Sequence, residues 1–187
     1  MNIKGTKTEK NLLKAFVGES QARNRYKLFA EKARKEGFEL AAIYFDFAAG
    51  QEERHSIVFA EYLKEGGIEA PAASFPAIQV GSTSENLHFA AEGERQEGNL
   101  IYPDFANIAK EEGFTKIYVT FNMLSDIEKR HEERFRHYLN NDKEFETMRS
   151  EDKTTWSCQC CGYEQTGETM PESCAFCNQK KSMIKLK

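Results

Sequence analysis

The sequence predicts a mainly α protein: a four-helix bundle followed by a small, cysteine-rich module that folds around a metal. Three observations carry that reading. Four long segments show apolar residues at helical spacing, separated by glycine and proline breakers. Landmarks of the first two segments recur in the last two at a constant offset of 76. Tyr26, Phe29, Ala30, Ala33, Glu36, Gly37 and Phe38 return as Tyr102, Phe105, Ala106, Ala109, Glu112, Gly113 and Phe114. Finally, all five cysteines lie between Cys158 and Cys177, a cluster that suits metal binding rather than a disulfide framework.

The first helix is expected from Thr8, an N-cap candidate, to Glu36, with Gly37 as its stop. The second runs from Phe38 or Glu39 to Gly66-Gly67. Residues 66–81 carry Pro71 and Pro76 and are too rich in breakers for a helix, but long enough to cross the length of the bundle. The third helix starts near Ser82 to Ser84 and ends at Gly113, with Pro103 inside it. The fourth runs from Phe114 or Thr115 to near Phe145. The bundle is assigned residues 1–147 and the module 148–187, with a linker at about 147–155. The 30 acidic and 26 basic residues give a net charge of -4 and form no basic block, so nucleic acid is not an expected partner. Neither a secretory signal nor a bilayer-length apolar run is present in the sequence, and a cytoplasmic protein without a membrane partner is expected.

Heptad reading of the helices puts charge where core residues belong. The columns are Leu12, Glu19, Tyr26, Ala33 in the first helix; Phe38, Phe45, Glu52, Phe59 with Ala41, Ala48, His55, Tyr62 in the second; Leu87, Glu94, Ile101, Ile108 in the third; and Phe114, Phe121, Glu128, Phe135 with Ile117, Leu124, His131, Tyr138 in the fourth. Burying one carboxylate costs several kcal/mol, and four together also repel. A metal answers both problems. Glu52/His55 and Glu128/His131, joined by Glu19 and Glu94, form the ligand set of a two-metal carboxylate bundle, and oxygen-rich ligation suits iron or manganese. A lone Glu-x-x-His pair is ordinarily a solvated face, and Arg23, Arg54, Arg130 and Arg134 offer salt bridges. Six residues at matched depth on four helices outweigh that alternative. His88 and His137 fall off the columns and are read as surface residues.

Two irregularities break the duplication. Glu97 has Ala22 as its counterpart, which leaves it a surface charge, a capping partner or a seventh ligand. Glu19 and Tyr26 are seven residues apart but Glu94 and Tyr102 eight, so one residue is extra and a π-bulge is expected, eased by Gly98 and Pro103. Tyr26 and Tyr102 are either core packing or catalytic partners that hydrogen-bond a ligand carboxylate or supply a proton. In the tail, Cys158-x-x-Cys161 and Cys174-x-x-Cys177 supply four thiolates for one zinc or iron, with Trp156, Tyr163 and Phe176 packed around them and Cys160 left over.

On Glu19-Ser-Gln-Ala-Arg-Asn-Arg-Tyr26, Glu52-Glu-Arg-His55, Glu92-Gly-Glu94-x-x-Glu97, Tyr102-Pro-x-Phe105-Ala106, Glu128-x-x-His131 and Trp156-x-Cys158-x-x-Cys161-Gly-Tyr163, the chain resembles the rubrerythrins over essentially its whole length. The resemblance implies a ferritin-like bundle and a β-rich, rubredoxin-like domain. It also implies two non-haem irons on Glu19, Glu52, His55, Glu94, Glu97, Glu128 and His131, and one iron on Cys158, Cys161, Cys174 and Cys177. One iron of the pair would move between His55 and Glu97 with redox state. The implied activity is reduction of hydrogen peroxide to water in oxidative-stress protection. Electrons would arrive through the one-iron centre from a rubredoxin or an NAD(P)H-dependent reductase, between the chains of a head-to-tail homodimer, because the two centres of one chain would lie far apart. The alternatives are a ferroxidase or iron-handling bundle and a zinc-ribbon interaction protein. Gln96 and Gly98 stand where the family often has aromatics, and Ala175 where it commonly has proline.

Overall fold

A computed structural model describes residues 2–64, 75–140, 155–167, 171–180 and 183–186. Its helices are α1 (Lys7–Lys35), α2 (Glu39–Tyr62), α3 (Thr83–Gln96), α4 (Tyr102–Glu111) and α5 (Thr115–Asn140). A π-helical segment, Glu97–Ile101, fuses α3 and α4 into the third rod of a four-helix bundle. The module is a three-stranded antiparallel sheet, β1 (Thr155–Cys158), β2 (Glu164–Thr166) and β3 (Ile184–Leu186), in the order β2-β1-β3. Trp156 lies opposite Gln165 on one side and Leu186 on the other. Among the described residues no helix is long and apolar enough to cross a membrane.

The helix ends show how closely the two halves copy one another. Gly37 and Gly113 adopt φ of +84° and +83°, a conformation that glycine takes without strain. In both, the next residue bonds back into the helix, Phe38 N–H to the Ala33 carbonyl at 2.9 Å and Phe114 N–H to that of Ala109 at 2.8 Å, closing the same C-terminal motif. The glutamate before each glycine then reaches across to the other half. Glu36 accepts from the backbone N–H (2.8 Å) and hydroxyl (2.6 Å) of Thr83, and Glu112 from those of Thr8 (2.8 and 2.6 Å). Each hairpin therefore satisfies orphan donors at the start of the other.

Two aromatic clusters fill the ends of the bundle and are images of each other. Tyr26, Phe29, Phe45 and Phe135 pack at one end, with centroids 5.2 to 6.4 Å apart along their contacts. Tyr102, Phe105, Phe121 and Phe59 pack at the other, at 5.3 to 6.2 Å. Truncating such a buried ring to alanine costs about 3–5 kcal/mol. The polar layer lies between the two clusters.

Several expectations are corrected. The first N-cap is Thr6, whose hydroxyl accepts from Glu9 N–H; Thr8, the second residue of the helix, serves the cross-half contact instead. α2 ends at Tyr62, short of Gly66-Gly67. Phe38, placed in a core column, is 40% exposed because it is the residue before α2 begins. Ile101 is 37% exposed while Tyr102 and Ala109 are buried. The π segment absorbs one residue and moves the core column from Ile101 and Ile108 to Tyr102 and Ala109. The expected bulge is thus present, at Glu97–Ile101. Gly66-Gly67, Pro71, Phe145 and the boundary at 147/148 lie outside the described residues.

Candidate metal centres

Four of the helices deliver acidic or histidine side chains to one buried layer. Glu19 comes from α1, Glu52 and His55 from α2, Glu94 from α3, Glu128 and His131 from α5, and none is more than 4% exposed. Their donor atoms form two groups, each with all members within 4.8 Å: Glu19, Glu52, His55 and Glu128, then Glu52, Glu94, Glu128 and His131. Glu52 and Glu128 belong to both. Each tyrosine hydroxyl reaches the glutamate of the opposite half, Tyr26 donating to Glu94 and Tyr102 to Glu19, so of the two roles open to these tyrosines the structure supplies the hydrogen-bonding contact.

The imidazoles fix the polarity of the layer. Both Nε2 atoms face oxygen acceptors, His55 donating to the Cys161 carbonyl at 3.0 Å and His131 to Gln51 Oε1 at 2.8 Å. That leaves each Nδ1 turned to carboxylates, in His55 at 3.0 Å from Glu52 and 3.2 Å from Glu19, in His131 at 2.8 Å from Glu128 and 3.1 Å from Glu52. A lone pair facing anions is repelled unless a proton or a metal cation lies between them. Both Glu128 oxygens, Glu52 Oε1, Glu94 Oε2 and His131 Nδ1 are buried without a hydrogen-bond partner. Without metal the layer can only trade protons. Burial, and then Glu52 and Glu128, push the Glu19 carboxyl well up; burial and the same two neighbours raise Glu94 to about 8. Against burial, His55 and His131 hold Glu52 well down. Against burial likewise, Glu128 and Glu52 hold both imidazoles well above their ordinary value.

The arginines do not neutralise this layer. Arg23 pairs with Glu53 at 3.4 Å, Arg54 donates to the Cys177 carbonyl, Arg130 stands 4.0 Å from Glu164, and Arg134 lies over the Tyr44 ring. An oxygen-rich donor set with one imidazole per position fits a pair of iron or manganese ions. Glu97 is placed differently. It opens the π segment, is partly exposed and joins neither group, and burial with Glu94 and Glu128 beside it pushes its carboxyl well up. The π segment is held by Ser125, whose hydroxyl donates to the Gly98 carbonyl at 2.6 Å. A Cβ on Gly98 would stand 3.0 Å from the Ser125 carbonyl oxygen and 3.1 Å from Lys129 N, so only glycine lets the two backbones approach. His88 is exposed, and His137 is partly buried against Tyr138.

In the module, the thiols of Cys158, Cys161, Cys174 and Cys177 are buried and mutually within 4.8 Å. The Cys158–Cys177 and Cys161–Cys174 sulfurs are 3.8 and 3.6 Å apart. Gly162, at φ +73°, turns the first knuckle and donates its N–H to the Cys158 carbonyl. Cys160 stands outside the group, partly buried, its thiol pushed up to about 11 by burial and by Cys177 and Cys158.

The module rests on the polar layer. Besides the His55–Cys161 bond, Phe176 meets the His55 ring edge-on at 5.5 Å. Gly162 lies so close over Gln51 that a Cβ there would be 2.9–3.1 Å from its amide atoms. The resemblance implied that the two centres of one chain lie far apart; in this structure a single hydrogen bond from His55 to Cys161 links them. The glycine at the turn permits that approach. Two contributors were missed in the sequence. Gln51 and Ser125 read as ordinary helix polar residues, although Gln51 carried a signal, since its counterpart at the 76-residue offset is Ile127.

The comparisons with known proteins follow the same division. The family model described as rubrerythrin matches residues 10–139, and that of the rubrerythrin rubredoxin-like domain matches residues 156–185. Rubrerythrin of Porphyromonas gingivalis is 44% identical over 94% of this chain and 88% of its own length. Rubrerythrin of Nitratidesulfovibrio vulgaris is 41% identical over 99% of this chain and 96% of its own. Among solved structures, nigerythrin in its mixed-valence state superposes with a TM-score of 0.72 at 29% identity, covering 98% of this chain and 90% of that one. Both parts of the chain are matched in order and at high identity, and the protein belongs to the rubrerythrin family, di-iron oxidoreductases with two irons in the bundle and one in a rubredoxin-like domain.

Proposed function

We propose that this chain is a peroxidase that reduces one hydrogen peroxide to two waters, consuming two protons and two electrons. The observation that carries the reading is the bond from His55 Nε2–H to the Cys161 carbonyl, which sets an electron-carrying module on a histidine of the bundle centre. The bundle irons are assigned to Glu19, Glu52, His55, Glu94, Glu97, Glu128 and His131, and the single iron to Cys158, Cys161, Cys174 and Cys177. The bundle is assigned residues 1–147 and the module residues 148–187, with a linker at about 147–155. When bound, the two bundle irons supply the electron pair and the Lewis acidity that breaks the O–O bond.

The chain's own residues do the rest. Tyr26 and Tyr102 hold the Glu94 and Glu19 carboxylates by their hydroxyl protons. The aromatic clusters above and below exclude water, which strengthens each charged contact in the layer. Glu97 is the one acidic ligand candidate that solvent reaches, a position from which a carboxyl can pass protons inward. A rubredoxin or an NAD(P)H-linked reductase is the proposed donor, in the cytoplasm and in the service of oxidative-stress defence. The proposed assembly is a head-to-tail homodimer, in which a module seated on its neighbour's bundle would make the same contacts.

The test is anaerobic stopped-flow absorbance of the fully reduced, iron-loaded chain mixed with stoichiometric peroxide. Rapid oxidation of the bundle, with the red colour of the oxidised four-cysteine iron appearing only after the bundle's electrons are spent, is expected. Oxidation no faster than with O2, or iron uptake continuing beyond two per bundle, would replace the peroxidase reading with ferroxidase and iron handling.

A further inference from the structure

The two histidines of the bundle are images of each other, yet their outer nitrogens are satisfied from different sources. His131 Nε2 donates to Gln51, a residue of the bundle itself that is 2% exposed. His55 Nε2 donates to the Cys161 carbonyl, a backbone atom of the module. The reason lies at the position equivalent to Gln51. There the second half has Ile127, fully buried and with no hydrogen-bonding atom in its side chain. His55 therefore has no bundle residue to fix its tautomer and takes its acceptor from outside. The outer acceptor of a metal-binding histidine orients the ring and keeps Nδ1 free for the metal; its removal typically costs 10–100-fold in metal affinity or activity.

We propose that Gln51 is a positioning residue that makes the His131 half of the centre self-sufficient, whereas the His55 half is complete only while the cysteine module is docked. Docking then controls one of the two iron positions and not the other. Arg54 anchors the module through the Cys177 carbonyl, and Arg130, its counterpart at the same offset, adds a longer-range attraction to Glu164 at 4.0 Å. The inference rests on His55 and His131 being iron ligands, as proposed above.

The test is anaerobic titration of the metal-free full chain with ferrous iron alone, resolving the two bundle steps after the four-cysteine site has filled. Arg54→Glu/Arg130→Glu removes both anchors and is expected to weaken one bundle step about 10–100-fold while leaving the other in place. Gln51→Leu is expected to weaken the other step. Adding Ile127→Gln to the anchor variant gives His55 an acceptor within the bundle and should restore the lost step, which a merely structural effect of the anchors would not allow. If both changes weaken the same step, or Ile127→Gln restores nothing while the bundle keeps its helicity, the inference is wrong and the ligand reading survives. If the unmodified bundle takes up no iron at all, the ligand reading fails and this inference with it.

Discussion

The hairpin α1–α2 and the hairpin running from α3 to α5 are built from the same plan, and their differences are more informative than their likeness. Caps, terminating glycines, aromatic clusters, tyrosine contacts and Glu-x-x-His pairs all correspond. Three departures stand out. The second half has a π segment carrying Glu97 where the first has ordinary helix around Ala22; it has Ile127 where the first has Gln51; and Thr120 stands where the first has Tyr44. The first two lie on the polar layer. Symmetry thus holds the bundle together, and departures from it distinguish the two metal positions.

Deleting Asn99, an exposed residue of the π segment, is the sharpest way to break that contrast. It restores the seven-residue spacing of the first half without rotating α4 relative to α3. The bundle should remain helical and keep the Tyr102–Glu19 contact, while peroxide turnover falls about 100-fold because Glu97 is displaced. Helicity by circular dichroism and turnover are measured together; unchanged turnover would make the π segment dispensable.

Metal removal is next in size. In the metal-free fold Glu94 is raised to about 8 from 4.5, Glu19 and Glu97 are raised well above 4.5, and both histidines are raised above 6.5. The fold holds these protons more tightly than the unfolded chain, so their stabilisation is present at low pH and lost as pH rises from 4.5 through 8. Glu52 and Glu128 are held low and act only below 4.5, outside that window. The melting temperature of metal-free protein should fall between pH 5 and 8, whereas the iron-loaded protein, its protons replaced by metal, should show no such fall.

Tyr26→Phe and Tyr102→Phe each remove one hydroxyl from a buried carboxylate, a loss of about 1.5–3 kcal/mol for a bond to a charged group. Equal losses in thermal unfolding but unequal losses in peroxide turnover would show that the halves are equivalent in packing and distinct in chemistry. The smallest effect is expected from Glu36→Gln and Glu112→Gln, which weaken the reciprocal caps to Thr83 and Thr8. The contribution of Glu36, whose carboxyl is lowered to about 2 chiefly by Lys32 and then Thr83, should be present above pH 4.5 and lost as pH falls through 2. Urea melts of the two variants at pH 7 test their equivalence.

The duplication made much of this molecule legible before any coordinates. A pattern stated twice separated Glu52/His55 and Glu128/His131 from the many solvated Glu-x-x-His pairs that helices carry. It also exposed the extra residue that becomes the π segment. What escaped were contacts between elements. Nothing local distinguishes Gln51 from a surface glutamine, because its role depends on where His131 arrives from another helix. Thr6 and Thr8 are both plausible caps in one dimension, and only Glu112, more than a hundred residues on, decides between them. Ile101 looked like core because heptad counting does not anticipate the residue that a bulge absorbs.

The reciprocal caps also bear on descent. Glu36 serves Thr83 as Glu112 serves Thr8, Tyr26 serves Glu94 as Tyr102 serves Glu19, and each half supplies one lone glutamate and one Glu-x-x-His pair. A single ancestral hairpin paired with its own copy could make every one of these contacts. Such a dimer would have two identical iron positions and no means of treating them differently. Fusion into one chain allowed a glutamine in one half to face an isoleucine in the other, and a helix to gain one residue on one side only. Neither change was open to the hairpin while a single sequence had to serve both sides.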